Sequence, residues 1–328
     1  MNSSSLLSRR KFIGTMGFIG GSLLLPGTAS ALIESLTSTI KIGLIADLHQ
    51  DIMHDGKERL EVFLTEMKKH EADAIIQLGD FAYPSEKNKP LIDRFNQASR
   101  NPIHVIGNHD TDNGHTKEQC RDVWGIPNRY YVRDVSGLKV IVLDGNDKNS
   151  PDYKGGYPSY IGKEQLQWLK YQLNKLEGPI MLASHQPLAG PWCVDNADEL
   201  QKLLTRYSEK VVLAVCGHTH IDEVYEVDGV NYLHINSASY QWVGGDHKHE
   251  SYPKEVHEKY PWIEYTCPYR DPVFAMLTID PDEGIIKVTG RESEWIGPDP
   301  DELGVELGEG VKNGKEVVPM IRDRRLEA

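Results

Sequence analysis

The sequence predicts an α/β fold that gains antiparallel sheet toward its C-terminus, and three observations carry that prediction. Short continuous apolar runs alternate with segments of helical period, the pattern of buried strands joined by helices. Two later pairs of apolar runs close around tight turns, the pattern of hairpins. The 328 residues are 39% hydrophobic and 26% charged, enough apolar side chain for a sizeable core in one large domain or two small ones.

Buried strands are expected at 40–46, 74–78, 103–106, 139–143, 180–183 and 211–215. The helix expected at 57–70 sets Leu60, Phe63, Leu64 and Met67 on one face. A second, 163–176, turns Leu166, Leu169, Leu173 and Leu176 inward, and a third, 196–207, does so with Leu200, Leu203, Leu204 and Tyr207. Runs 223–227 and 230–235 flank Asp228-Gly229, and runs 273–279 and 285–289 flank a turn at 280–284. Residues 240–270, between the hairpins, are rich in aromatic, His and charged side chains. A connection this long reads either as a loop insertion that covers a site and selects substrates, or as a solvated insertion with a small aromatic core. Residues 297–328, rich in Gly, Pro and charge, read as a C-terminal extension, partly disordered or wrapped on the surface.

Residues 1–31 read as an export signal and the main domain as 32–296. Ser8-Arg9-Arg10-Lys11-Phe12-Ile13 precedes an apolar, Gly-rich stretch, and Ala29-Ser30-Ala31 offers small residues for cleavage. Gly20-Gly21 and Pro26 make that stretch a poor membrane span. The Arg-Arg-x-Phe-Ile pattern resembles a twin-arginine signal, with an ordinary secretory signal or an uncleaved anchor as the alternative. That implies passage through the twin-arginine export machinery to a periplasmic or other extracytoplasmic bacterial location, with no stable membrane insertion after cleavage. The net charge is −13, without a Lys/Arg run beyond the N-terminus, which disfavours nucleic-acid polymers and anionic membranes as partners. The four cysteines lack the spacing of a zinc knuckle or redox pair. Cys216 reads as a buried thiol, while Cys193 and Cys267, in loop-like sequence, are candidates for pairing.

The residues that carry chemistry sit just past the strand ends. Asp47-Leu48-His49 comes after the first strand, Gly79-Asp80 after the second and Gly107-Asn108-His109-Asp110 after the third. Ser184-His185 and Cys216-Gly217-His218-Thr219-His220 close two later ones. Ligands of open α/β sheets bind beyond the carboxyl ends of strands, where residues distant in sequence converge. Carboxylate, amide oxygen and neutral imidazole suit Mn, Fe, Zn or Ni. A lone His at a strand end is usually structural, but five such motifs in order point to a metal centre.

The series Asp-x-His, Gly-Asp, Gly-Asn-His-Asp, His, Gly-His-x-His resembles the calcineurin-like metallophosphoesterases. The resemblance runs from Asp47 to His220, with flanking pattern to about residue 290. It implies a four-layer α/β/β/α sandwich with two central mixed sheets, and two divalent or mixed-valence transition metal ions. Asp47, His49, Asp80 and His220 would hold the first ion, and Asp80, Asn108, His185 and His218 the second, with Asp80 bridging. The implied reaction is hydrolysis of a small phosphate ester, mono- or diester, by in-line attack of a hydroxide shared by the ions. His109 would act at the leaving oxygen as general acid or electrostatic stabiliser. The Asp that many relatives place after Gly-Asp to orient this His is missing from Phe81-Ala82-Tyr83-Pro84, which leaves Asp110 as the candidate. Tyr83 matches the Gly-Asp-x-x-Tyr of purple acid phosphatases, but with His49 present it is expected to pack or to line the pocket and not to bind metal. The alternative is a non-catalytic binding protein on the same scaffold; the complete ligand set argues against it.

Overall fold

The computed structural model describes residues 29–308 and 310–327. Two six-stranded mixed sheets form its centre. The first runs β14-β13-β12-β1-β2-β3, where β1 is Ile40–Ile45, β2 Ala74–Gln77, β3 Pro102–His104, β12 Ala275–Asp280, β13 Ile285–Thr289 and β14 Arg324–Glu327. The second runs β4-β5-β6-β7-β9-β8, with β4 Tyr131–Val135, β5 Leu138–Val142, β6 Ile180–Ser184, β7 Val211–Cys216, β8 Glu223–Val227 and β9 Val230–His234. Strands β1, β2 and β3 are parallel, as are β5, β6, β7 and β9; antiparallel strands close both edges of the second sheet and one edge of the first, whose other edge is β3.

Side-chain alternation along the strands builds the layers. On β5 and β6, Val140, Val142, Met181 and Ala183 join the core between the sheets, with Ile42, Leu44 and Ile76 opposite. Their neighbours Ile141, Ile180 and Leu182 face helices α5 (Lys163–Lys175) and α6 (Ala197–Thr205) through Leu166, Leu169, Leu173, Leu200, Leu203 and Leu204. Burial on both faces is why these strands are unbroken apolar runs. Helices α2 (Gly56–Lys69), α3 (Lys89–Ala98) and α4 (Lys117–Trp124) cover the first sheet. Gly43 on β1 lets α2 close in, since a Cβ there would collide with Met67 and Phe63.

The expected strands, helices and hairpins are present within a few residues. Sequence periodicity did not disclose α3, α4 or β4. The first two are short, and β4 exposes its central residues, so no long apolar face announces them. A capping box between Thr116 and Gln119 starts α4 and is legible in retrospect. Of residues 1–31, only the last three are described; they open helix α1 (Ala29–Glu34), where Ser30 Oγ donates to the Gly284 carbonyl. The twin-arginine pattern lies outside the described residues. No helix among those described is long and apolar enough to cross a membrane.

The C-terminal segment wraps the surface. Strand β14 extends the first sheet, and the preceding loop seats Val311 and Val317 on Ile221. Asp222, fully buried, accepts from Arg322 Nη1 at 2.9 Å and Arg324 Nη1 at 2.5 Å. The insertion forms a hairpin of β10 (Tyr240–Trp242) and β11 (Thr266–Pro268), with the short helix α7 (Lys254–Lys259) between them. All four cysteines are free thiols, so the candidate pair Cys193 and Cys267 is not joined.

Candidate metal centre

The carboxyl ends of β1, β2, β3, β6 and β7 emerge at one edge of the sandwich and deliver the expected residues together. Two groups form there. Asp47, His49 and His220 make one, and Asp80, His185 and His218 the other, with candidate ligand atoms within 4.8 Å of one another in each. Asp80 lies between them: its Oδ2 is 3.3 Å from His185 Nε2 and 3.8 Å from His49 Nε2. Asp47 Oδ1 is 3.3 Å from His220 Nε2, and Asn108 Oδ1 is 3.1 Å from His185 Nε2. His218 Nδ1 is 3.3 Å from His185 Nε2.

Five of these residues have left-handed backbone: Asp47 (φ 51°), His49 (φ 48°), Asp80 (φ 51°), His218 (φ 68°) and His220 (φ 50°). For a residue with a Cβ this costs about 1–2 kcal/mol, and such strain persists only where surrounding structure enforces it. Here the N–H groups of Asp47 and His49 donate to the carbonyls of Gly79 and Asp80, and the His218 N–H donates to the Asp47 carboxylate. Glycine is required beside the ligands. A Cβ on Gly107 would overlap Asp80, and one on Gly79, at φ 97°, would strike the His185 ring.

The structure corrects the expectation for Asp110. Its carboxylate points away from His109 and, fully inside the protein, accepts the N–H groups of Asp80, Phe81, Ala82 and Gly107. Burial and the charge of Asp80 push its carboxyl up to about 7, against the pull of these donors. The carboxylate on His109 is Asp112, with Oδ2 2.7 Å from Nδ1. A 3₁₀ turn, His109–Gly114, brings residues three apart onto one side. Tyr157, also missed, donates its hydroxyl to Asp112 Oδ1 at 2.8 Å and lies 3.2 Å from His109 Nδ1. Burial opposes protonation of His109, but Asp80 and Asp112 outweigh it and raise the pKa.

Burial drives His49 well below its usual pKa and His218 down to about 3. His185 behaves oppositely. Burial lowers it, yet Asp80 lifts it to about 9. Its Nδ1 faces the Leu78 carbonyl at 2.8 Å, an acceptor only, so the Nδ1 proton is fixed there. The neutral ring then presents a bare Nε2 to two further acceptors, Asp80 Oδ2 and Asn108 Oδ1. Such a convergence of lone pairs calls for a positive charge, from a proton or a cation.

The centre floors a cavity of 760 Å³ lined also by Tyr83, Tyr157, Trp192, Tyr240, Trp242 and Trp262. Tyr240 stacks on His49 at 4.9 Å. Tyr83 lines the wall as expected, its hydroxyl pushed up to about 12 by burial. His54 packs on Tyr252 and Tyr260, and His104 and His234 are buried structural rings held by hydrogen bonds. Of the insertion's histidines, His247 Nδ1 pairs with the Leu303 carbonyl, and His257 Nε2 accepts from Ser251 and Tyr252.

Residues 40–222 match the model of the calcineurin-like phosphoesterase family, more than half of the chain. The chain belongs to that family. It has the corresponding α/β metallophosphoesterase fold. A sphingomyelin phosphodiesterase B of Dictyostelium discoideum is 26% identical over 168 residues, which are 48% of this chain and 24% of that protein. The chain thus spans about a quarter of that relative. A probable cyclic nucleotide phosphodiesterase of Fibrobacter succinogenes is 25% identical over 213 residues, 58% of this chain and 76% of the other. A dimetal phosphatase of Danio rerio superposes with a TM-score of 0.53 at 15% identity, covering 79% of this chain and 99% of its own.

Replacing Asp110 by Ala strips four backbone N–H groups of their acceptor. At about 1–3 kcal/mol for a buried unsatisfied group, chemical denaturation should register a loss of at least ~3 kcal/mol. A loss below ~1 kcal/mol would mean that the strand-end loops hold their shape without this carboxylate.

Proposed function

We propose that this metallophosphoesterase hydrolyses a small phosphate ester at a dinuclear centre whose ions share Asp80. The observation that carries the reading is the position of Asp80 Oδ2 between His49 and His185. Asp47, His49, Asp80 and His220 would hold one ion; Asp80, Asn108, His185 and His218 would hold the other. The residues fit such ions. Carboxylate, amide oxygen and imidazole without thiolate suit Mn, Fe, Zn or Ni. The His185 tautomer leaves Nε2 free to coordinate, the usual arrangement for a metal-bound His whose other nitrogen donates to a carbonyl. Bound ions would supply an activated water and neutralise charge on the phosphoryl oxygens.

The protein's own contribution to catalysis centres on His109. Asp112 and Tyr157 fix Nδ1, leaving Nε2 to face the ester, and the raised pKa keeps a proton available for the leaving oxygen. Tyr240, stacked on His49, excludes water from one side of that ring. Both curated relatives are named as phosphodiesterases, which supports a diester; the acidic surface supports a small one. The Arg9-Arg10 pattern supports export through the twin-arginine machinery to the periplasm.

Hydrolysis of bis(p-nitrophenyl) phosphate and p-nitrophenyl phosphate, with Mn, Fe, Zn or Ni restored, tests the reading. The wild type should turn over at least one ester and Asp80→Asn neither. Equal rates in the two proteins would remove Asp80 from the centre.

Asp112→Asn should lower kcat by about 10-fold or more for an alkyl ester, whose leaving oxygen needs a proton. For a p-nitrophenyl ester the loss should be much smaller. Equal losses on both would assign Asp112 a purely structural role.

Replacing Arg9-Arg10 with two lysines should leave uncleaved protein in the cytoplasm by cell fractionation. Unchanged export would point to another route.

A further inference from the structure

The cavity is chemically two-sided. The strand ends form one side; the other is aromatic. Trp192 is 47% exposed, Trp242 41%, Trp262 54% and Tyr157 46%, four of the seven large hydrophobic residues left exposed among those described. Scattered exposed aromatics are ordinary, but their concentration around one cavity marks a surface shaped for an apolar ligand.

These rings are held in place. Trp242 sits on β10, paired with Thr266 of β11. Its indole stacks on Tyr265 at 5.5 Å and 8°, and Tyr265 lies 5.1 Å from Trp262. Trp192 is backed by Gly308 of the C-terminal segment, where a Cβ would come within 2.8 Å of the indole. A preformed aromatic wall binds without the cost of ordering its side chains.

The charge along the cavity is equally selective. None of its lining residues is Lys or Arg, and the acids there are Asp80 and Asp112. A second phosphate would find no guanidinium or ammonium among these residues and would face Asp112; Lys248, over the Tyr265 ring behind the wall, is paired with Glu264. A flat, neutral ring would find indole faces.

We propose that the cavity takes esters with a single phosphate and a flat, uncharged ring on the alcohol, stacked against Trp242 and Trp262, and that it rejects alcohols bearing a second phosphate. This rests on the phosphate-ester reading above and names the substrate class for that site.

Ethyl phosphate and 2-(2-naphthyl)ethyl phosphate, each tested also as its methyl diester, share a leaving alcohol of similar acidity and differ in the ring. The naphthyl ester should be preferred in kcat/KM by about 10-fold or more, the scale of one stacked ring. Trp242→Ala and Trp262→Ala should each erode that preference, and Trp242→Phe should restore most of it. A preference near one, or one untouched in both Ala variants, overturns the proposal. Quenching of tryptophan fluorescence gives a readout independent of turnover. Saturable quenching by the naphthyl ester, weakened at least tenfold when a second phosphate is added, supports the subsite even if no ester is hydrolysed, an outcome that would sink only the catalytic reading. Phosphocholine or the bisphosphate binding more tightly than the naphthyl ester would overturn it.

Discussion

A carboxylate held between two imidazoles, on backbone that its own side chain disfavours, is the constraint on which the rest of the molecule depends. Asp80 uses one oxygen, Oδ1, to accept the His109 N–H, so Oδ2 is the atom left facing His49 and His185. The left-handed conformation at Asp80 aims the carboxylate, and Asp110 enforces it by gathering the N–H groups of residues 80–82 and 107. Two loops from neighbouring strands are thereby fastened to one buried anion. Glycines at 79 and 107 leave the room this needs.

The sandwich gives that arrangement its rigidity. Strands β1, β2, β6 and β7 are buried on both faces, so their ends cannot shift without disturbing a core. The second sheet carries His185, His218 and His220, and the first carries Asp47, His49, Asp80 and Asn108. The centre therefore exists only where the sheets meet. The C-terminal segment reinforces the joint, since Arg322 and Arg324 bind buried Asp222, two residues past His220. A portion of the chain that looks like a loose extension is bonded to the loop presenting a candidate ligand.

Much of this was legible in the sequence because burial on two faces writes continuous apolar runs, and because the metal-capable residues come directly after those runs. The parts that escaped depend on geometry that periodicity does not encode. Asp112 meets His109 only because a 3₁₀ turn brings residues three apart together. Tyr157 arrives from a loop 48 positions away. Strand β4 and helices α3 and α4 are short or half exposed. Asp110 belongs to the right neighbourhood, but its carboxylate faces backbone instead of the imidazole.

The most direct test of the account is anomalous diffraction from crystals soaked in Mn, recorded for the wild type and for Asp80→Asn. The account predicts two peaks roughly 3.5–4 Å apart in the wild type, one beside Asp47, His49 and His220, the other beside Asn108, His185 and His218, with Asp80 touching both. It predicts the loss of at least one peak in the variant. A single wild-type peak, or two that do not share Asp80, would contradict it.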